Sequence, residues 1–262
     1  MKESEYIEKF YNQYDEDNRL RRKYGLVEFL TTMSYIKRYL NPEDKIIDIG
    51  AGTGRYSHAL AKLGCSVEAI ELVESNIEVF KRNTINEDKI TINRGNAKDL
   101  SQFKDNAYDI TLLFGPMYHL FSIEDKLKAL SEAIRVTKKK GIIFIAYCIS
   151  DATILSDGFM GGNIKEFIKQ DWLDNNTFKT ASSPKDLFEL NRKEDIDELV
   201  SHFAVERLHY VATDGFTNFM RETIEQMDDE TFDIYMKYHL TICERQDMVG
   251  LTHHSLDVLR KL

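Results

Sequence analysis

The chain has 262 residues, of which 42% are hydrophobic and 30% charged. This length is enough to bury a sizeable core in one α/β domain with insertions, and only three prolines argue against long linkers. A formal net charge of -9 speaks against a partner that is mainly a phosphate backbone, because binding by counterion release needs a basic face.

The three cysteines stand at wide spacing, without a C-x-x-C pair or a nearby histidine pair. This pattern indicates neither a disulfide framework nor a metal site. The start "MKESEYIEKF" lacks the apolar run of a signal peptide, and the longest apolar stretch, "GIIFIAYCI", is half of what a membrane span requires. We therefore expect a cytoplasmic protein with neither a nucleic-acid nor a membrane partner.

Residues 1–40 are tyrosine-rich and are predicted to form a helical cap. From residue 41 to residue 150, short β-branched runs alternate with amphipathic segments, which is typical of βαβ units in a parallel sheet. The first strand is "KIIDIG". The four further strands are "SVEAIEL", "KITINRG", "YDITLLFG" and "GIIFIAYCIS".

Helix boundaries in this region follow from short polar signals. Ser75 with Glu78 has the spacing of a capping box and predicts a helix that ends near Asn83. Ser122 is placed to cap the next long helix. The basic run at residues 138–140 is expected in the last turn of that helix, where it would favour the negative end of the helix dipole.

After residue 150 the regular alternation of short strands and amphipathic segments ends. Two helical inserts are predicted over 151–200 and 215–250, and two strands over 203–212 and 254–261, all within a single domain. We expect the inserts to cover the carboxyl ends of the strands, where ligand pockets of such sheets lie. Their apolar residues are Phe159, Met160, Phe216, Phe219, Met220, Phe232, Tyr235 and Met236.

The loop "GAGTG" between the first strand and its helix carries the strongest functional signal. Gly50, Gly52 and Gly54 alternate, whereas a dinucleotide site has G-x-G-x-x-G. A glycine loop before a helix presents backbone N–H groups and a positive dipole end to an anionic group. The tighter spacing suits a carboxylate or an amino-acid moiety better than a pyrophosphate.

Five segments in the same order resemble the class I S-adenosylmethionine-dependent methyltransferases over residues 40–150. They are "IIDIGAGTG", Glu71 at the end of "VEAIEL", "GNAKDL", "YDITLLFG" and "ALSEAIRVTKKKGIIFIA". The resemblance implies a seven-stranded Rossmann-like doubly wound sheet whose strands are mostly parallel, with the last strand antiparallel. It also implies S-adenosyl-L-methionine as cofactor and S-adenosyl-L-homocysteine as product.

The resemblance also assigns residues to the cofactor. Glu71 would hold the ribose hydroxyls, and Asn96, which replaces the family's acid, would accept a hydrogen bond from the adenine amino group. Asp48 either binds the cofactor or holds the loop. The implied cofactor residues are Asp48, Gly50, Ala51, Gly52, Gly54, Glu71, Leu72, Asn96, Ala97 and Phe114. Apart from the resemblance, we expect Tyr14, with Tyr11 and Arg22, to close over the methionine carboxylate.

The stretch "FGPMYHL" lies where cofactor and acceptor meet in this family. Methyltransferases of nucleobase amines and amides have Asn or Asp where this chain has Gly115, so such acceptors are disfavoured. The stretch is more similar to small-molecule methyltransferases, in which Tyr118 and His119 would line the acceptor site. His119 is the candidate base because an imidazole titrates near neutrality, with a structural hydrogen-bonding role as its alternative. His253 and His254 are further titratable candidates.

The sequence thus predicts a methyltransferase for a small, partly apolar acceptor, acting as a monomer or homodimer. Two alternatives stay open: a non-catalytic S-adenosylmethionine-binding module and an NAD-dependent oxidoreductase. The acceptor atom, the use of a general base and the pathway are not determined by the sequence.

Overall fold

The computed structural model of the protein describes residues 3–12, 22–85 and 89–262. Eight strands form one sheet. The first five are β1 Lys45–Ile49, β2 Ser66–Glu71, β3 Ile90–Arg94, β4 Tyr108–Leu113 and β5 Thr137–Ile149. The last three are β6 Leu190–Asn191, β7 Val205–Ala212 and β8 His254–Lys261.

The order of the sheet is β3-β2-β1-β4-β5-β8-β7, with the two-residue β6 paired to β5. Strands β1 to β5 are parallel, and β8 is antiparallel to both β5 and β7. The predicted doubly wound sheet with an antiparallel last strand is confirmed, and β6 adds to the seven expected strands. Because the order reverses between β1 and β4, a crevice opens at the carboxyl ends of these two strands.

Ten α-helices are described, joined by short 3₁₀ and π turns. Those along the first half are α1 Glu3–Tyr11, α2 Lys23–Lys37, α3 Arg55–Ala61, α4 Glu74–Asn83 and α5 Ile123–Val136. Those along the second half are α6 Ser150–Thr153, α7 Ile164–Lys169, α8 Lys193–Ser201, α9 Arg221–Gln226 and α10 Asp229–Ile242.

Helices cover both faces of the sheet, and β1 shows why. Ile47 and Ile49 belong to the apolar cluster on one face, whereas Ile46 belongs to the cluster on the other. All three side chains are fully buried. A nearly continuous apolar strand is the pattern expected where a parallel sheet is covered on both sides.

The helix signals had mixed outcomes. The side chain of Ser122 accepts a hydrogen bond from the Asp125 N–H and caps α5, as predicted. The capping box at Ser75 is wrong: α4 begins at Glu74 after Val73, and the buried Ser75 hydroxyl has no hydrogen-bond partner among the described residues. The lysines at 138–140 are also corrected, because α5 ends at Val136 and β5 already begins at Thr137.

The apolar residues of the inserts differ from the expected pocket cover. Phe159 and Met160 are 56% and 69% exposed. Phe232 and Met236 of α10 instead pack against Val27, so that they fasten the second insert to α2. No helix among the described residues is long and apolar enough to cross a membrane.

Two loops touch at the crevice between β1 and β4. Gly50 follows β1 with φ +80°, and a Cβ atom there would lie 2.5 Å from Pro116 Cδ and 2.7 Å from the Phe114 carbonyl oxygen. Only glycine combines this backbone conformation with so close an approach. The contact brings the two loops that end the central strands into one wall.

The Gly50→Ala variant tests this constraint. We expect it to lose about 1–3 kcal/mol of stability, since the added methyl group both clashes with backbone and strains φ. At roughly 2–4 °C per kcal/mol, thermal unfolding followed by circular dichroism will show the loss. Gly250→Ala is the matched control, because a Cβ there meets no atom within 4 Å. Equal melting temperatures for the two variants would contradict the close approach.

Candidate functional site

The glycine loop is tied to the end of β2 rather than left open for a ligand. The N–H groups of Gly50 and Ala51 both donate to the Ile70 carbonyl, at 2.8 and 3.0 Å. The N–H of Gly52 donates to the Glu71 carboxylate at 2.8 Å. The expectation that these N–H groups face an anion is therefore wrong for this structure. What the loop offers is a shape that lets a ligand approach closely.

Gly52 is the point of closest approach. Its φ is +55°, and apart from its chain neighbours no atom of the described residues lies within 4 Å of the position that a Cβ would occupy. Gly52 borders open space in two pockets, described below. Gly54, by contrast, lines none of the described pockets: it precedes α3 and packs against His58 and Phe80.

Glu71 ends β2 with a buried carboxylate. Besides the Gly52 N–H, it accepts hydrogen bonds from the Val73 N–H at 2.9 Å and from the Asn76 amide at 3.4 Å. Burial raises the pKa of Glu71, while these donors oppose the shift. A carboxylate has about four lone-pair sites, so an acceptor position remains for a ligand hydroxyl.

Asp48 is buried one strand away and lines none of the described pockets. Its carboxyl group accepts a hydrogen bond from the Ser57 hydroxyl at 2.6 Å. Burial, with a smaller contribution from the Glu71 charge, raises the pKa of Asp48 to about 7. Of the two roles left open by the sequence, this position favours holding the loop against α3.

The glycine-loop pocket is a cavity of about 120 Å³ beside the ends of β1, β2 and β4. It collects most of the predicted cofactor residues, namely Gly50, Gly52, Glu71, Leu72, Asn96, Ala97 and Phe114. The Asn96 side-chain oxygen accepts from the Lys98 N–H at 3.0 Å, which fixes the amide in its loop. Sequence reasoning missed Ile7, Asn76 and Leu120, whose side chains also border this cavity.

The junction pocket is a smaller cavity of about 70 Å³ on the other side of the loop. It contains Ala51, Gly52 and Phe114 together with Glu28, Arg55 and His254. The Arg55 guanidinium lies 4.5 Å above the Phe29 ring, a cation–π arrangement that orients it.

The acidic pocket is a third cavity, of about 300 Å³, lined by Glu28, Asp214 and His254 with several aromatic rings. Tyr118 lies on the wall of all three cavities. The predicted site residue Tyr118 is therefore the point where the three meet. Tyr14 lies outside the described residues.

His119 sits in the glycine-loop pocket but not in the acidic pocket. Its Nδ1 lies 2.9 Å from the Leu187 carbonyl oxygen, so Nδ1 must carry the proton and donate it. Nε2 then accepts from the Tyr11 hydroxyl at 3.0 Å. Burial lowers the pKa of His119 to about 4. With both ring nitrogens engaged, the geometry favours a positioning role over the proton-accepting role suggested by the sequence.

The charged cluster of the acidic pocket comes from three distant elements. Glu28 lies on α2, Asp214 follows β7 and His254 begins β8. The His254 Nδ1 lies 2.8 Å from Asp214 and 3.6 Å from Glu28. Asp214 also accepts hydrogen bonds from the backbone N–H groups of His253 and His254 and from the Thr252 hydroxyl.

The cluster shifts the titration of its members. Burial opposes charge on His254, but Glu28 and Asp214 hold its pKa well above the usual value. Burial alone would raise the pKa of Asp214, and the neighbouring His254 holds it well below instead. The pair is thus an ion pair at neutral pH.

One possible ligand atom from each of Glu28, Asp214 and His254 lies within 4.8 Å of the others, a spacing that a metal ion can bridge. The sequence-based expectation of no metal site rested on cysteine and histidine spacing. That expectation stays a prediction. No local sequence pattern marks Glu28 or Asp214, since each gains its role only when α2, β7 and β8 assemble.

Comparisons with known proteins show what the chain is similar to. Residues 47–145 match a family model described as a methyltransferase domain. A demethylmenaquinone methyltransferase from Clavibacter sepedonicus is 36% identical over 103 residues, which are 39% of this chain and 40% of that protein. The aligned part of the chain thus spans about two fifths of the length of the first curated relatives.

Two further matches extend beyond this segment. A glycine/sarcosine N-methyltransferase from Aphanothece halophytica is 26% identical over 249 residues, 89% of each chain. The crystal structure of a S-adenosylmethionine-dependent methyltransferase from Thermotoga maritima superimposes with a TM-score of 0.58 at 17% identity, covering 100% of both chains. The predicted fold and cofactor class are confirmed by these matches.

The raised pKa of Asp48 predicts a pH dependence of stability. In the unfolded chain the carboxyl group ionises near 3.8, whereas the folded protein keeps the proton up to about pH 7. The free energy of unfolding attributable to Asp48 therefore falls as pH rises from about 4 to about 7. Asp48→Asn keeps an oxygen that can accept the hydrogen bond from Ser57, and it removes the loss of stability that accompanies rising pH.

The measurement is thermal unfolding of wild type and Asp48→Asn between pH 5 and pH 8. We expect the melting temperature of the variant to increase relative to that of wild type as pH rises. Asp233→Asn, on the exposed face of α10, is the control. A difference that is independent of pH would mean that Asp48 ionises normally in the folded state.

Substitutions at His119 and Tyr11 distinguish a positioning role of His119 from general-base catalysis. We expect His119→Gln and Tyr11→Phe to weaken S-adenosylhomocysteine binding in calorimetry, because each breaks the same wall of the glycine-loop pocket. At saturating cofactor, turnover should stay within a few fold of wild type with an unchanged pH profile. A hundredfold loss of turnover with a shifted profile, in His119→Gln alone, would restore His119 as the base.

Proposed function

We propose, from the premise that the chain contains a class I S-adenosylmethionine-dependent methyltransferase domain, that it transfers the cofactor's methyl group to a small molecule. The relatives named above are, by their names, methyltransferases of demethylmenaquinone and of glycine or sarcosine. Both names denote small acceptors. Placement in the cytoplasm and a monomeric or dimeric state stay predictions.

The observation that carries this proposal is the position of Tyr118 where three cavities meet. The glycine-loop pocket, with Glu71 and Asn96, would take the ribose and adenine. The junction pocket, with Arg55, would take the methionine carboxylate. The acidic pocket then lies on the far side of Tyr118 and would hold the acceptor.

The chemistry asks little of the protein. S-adenosylmethionine supplies a sulfonium-activated methyl group, so the chain must align an acceptor behind it and exclude water. Aromatic walls and α1 enclose the meeting point: Tyr11 lines two of the cavities, and its ring stands edge-on to His119. The enclosure suits an in-line transfer.

The alternatives predict different ligands. The NAD-dependent reading needs a loop that takes a pyrophosphate, yet the first three loop N–H groups are used by Ile70 and Glu71. The non-catalytic reading needs no second cavity, and the acidic pocket of about 300 Å³ speaks for an acceptor site. The methyltransferase reading accounts for both observations.

Calorimetry with S-adenosylhomocysteine and with NAD tests the cofactor. We expect binding of the first and none of the second. Glu71→Gln should weaken S-adenosylhomocysteine binding by about 1–3 kcal/mol, since charge-assisted hydrogen bonds to the ribose are lost. Glu78→Gln, exposed on α4, should bind like wild type.

Transfer itself is tested with methyl-labelled cofactor and a fractionated cell extract. We expect label in a product that resists both nuclease and protease. Binding of NAD without S-adenosylhomocysteine would replace the proposal with the oxidoreductase. Cofactor binding without any labelled product would favour the non-catalytic module.

A further inference from the structure

The acidic pocket combines aromatic walls with charge. Its volume of about 300 Å³ is at the small end of the range for organic ligands. Among the described residues, five aromatic side chains line it, namely Phe10, Tyr11, Tyr24, Tyr118 and Phe188. Such walls attract a cation through the negative faces of their rings.

The inner end of this pocket carries net negative charge. Glu28 and Asp214 contribute two negative charges and His254 at most one positive charge. The sum is -1 when His254 is protonated and -2 when it is neutral, so its sign does not depend on the titration of His254. Glu28 and His254 also line the junction pocket, next to the place proposed for the sulfonium.

A positive side chain lies on the solvent-exposed side of the pocket. Arg221 begins α9 and is the remaining cation among the described residues that line the acidic pocket. Its Cζ lies 5.3 Å from the Tyr24 ring, and its Nε donates to Asn218 Oδ1 at 2.8 Å. The amide of Asn218 in turn donates to Asp214 at 2.6 Å. One asparagine thus separates the positive end from the negative end.

From this polarity we infer that the methyl acceptor is the nitrogen of a small amino acid or a similar zwitterionic amine. The inference rests on the proposed function and specifies its acceptor. The ammonium group faces the Glu28 carboxylate, since both Asp214 oxygens already accept hydrogen bonds within the protein, and the carboxylate faces Arg221, whose η nitrogens can form two parallel hydrogen bonds to it. An acceptor with a single charge would leave one end of the pocket uncompensated.

An ammonium group must lose a proton before its nitrogen can accept the methyl group. The bound ammonium first gives one proton to the Glu28 carboxylate. The freed nitrogen lone pair attacks the methyl carbon, and the carbon–sulfur bond breaks with its electron pair going to sulfur. The products are S-adenosylhomocysteine and a protonated N-methyl amine, and Glu28 then releases its proton to water.

The first experiment identifies the methylated atom. Labelled methyl transfer is measured with three matched series: L-amino acids, their 2-hydroxy-acid analogues and the corresponding decarboxylated amines. We expect N-methylation of an amino acid, a value of kcat/KM at least tenfold lower for the amine that lacks the carboxylate, and no transfer to the hydroxy acid. Mass spectrometry of the labelled extract product should place the methyl group on nitrogen.

The second experiment tests separately the residue proposed to bind the acceptor carboxylate and the residue proposed to bind its ammonium group. Arg221→Gln should raise KM for the amino acid at least tenfold while leaving KM for the decarboxylated amine unchanged, a split that a merely structural defect does not produce. Glu28→Gln should lower kcat/KM for both at least tenfold, with S-adenosylhomocysteine affinity within twofold of wild type. Glu222→Gln and Arg82→Gln, both exposed and outside the pocket, are the charge-matched controls.

Other outcomes overturn the inference while leaving the proposed function intact. A methyl group found on oxygen, sulfur or carbon would exclude an amine acceptor. Loss of S-adenosylhomocysteine affinity in Glu28→Gln would assign the cluster to the cofactor. Activity abolished by EDTA and restored by Mg²⁺ or Mn²⁺ would assign it to a metal ion. Absence of S-adenosylhomocysteine binding to wild type would instead overturn the proposed function itself.

Discussion

The link between the glycine loop and the end of β2 is the interaction on which the site depends. Gly50, Ala51 and Gly52 give their N–H groups to Ile70 and Glu71, so the loop cannot move without the strand. A buried carboxylate is costly unless hydrogen bonds satisfy it, and the loop supplies one of them. Asp48, buried next to it, avoids a second uncompensated charge by holding its proton up to about pH 7.

The other parts of the site are positioned by a chain of contacts that begins at this loop. Gly50 touches Pro116, and the turn that begins there carries Tyr118 to the meeting point of the three cavities. His119, next in the chain, is held by Tyr11 of α1 and by the Leu187 carbonyl of the first insert. His119, which the sequence suggested as a candidate base, therefore links α1 and the first insert to the core of the protein.

Sequence reasoning singled out most residues of the glycine-loop pocket because several of them are close in sequence. The loop, Glu71 and Leu72 lie within a single βαβ unit, whose geometry is set by strand order and helix direction. It failed at Ser75, whose hydroxyl does not cap α4 because the helix already begins at Glu74. It also assigned the 138–140 lysines to a helix end, although the pairing of β5 with β4 already begins at Thr137.

The charged groups of the acidic pocket could not be predicted in the same way, because they meet only through tertiary structure. Antiparallel pairing sets Ala212 opposite Ser255, which brings Asp214 to the backbone of His253 and His254. Helix α2 adds Glu28, and the second insert, fastened to α2 through Phe232 and Met236, adds Arg221. Residues 47–145, which match the family model, contain none of these four charged groups. The glycine-loop pocket is therefore built mainly from the segment that matches the family model, whereas the charged groups of the acidic pocket come from the parts of the chain that surround it.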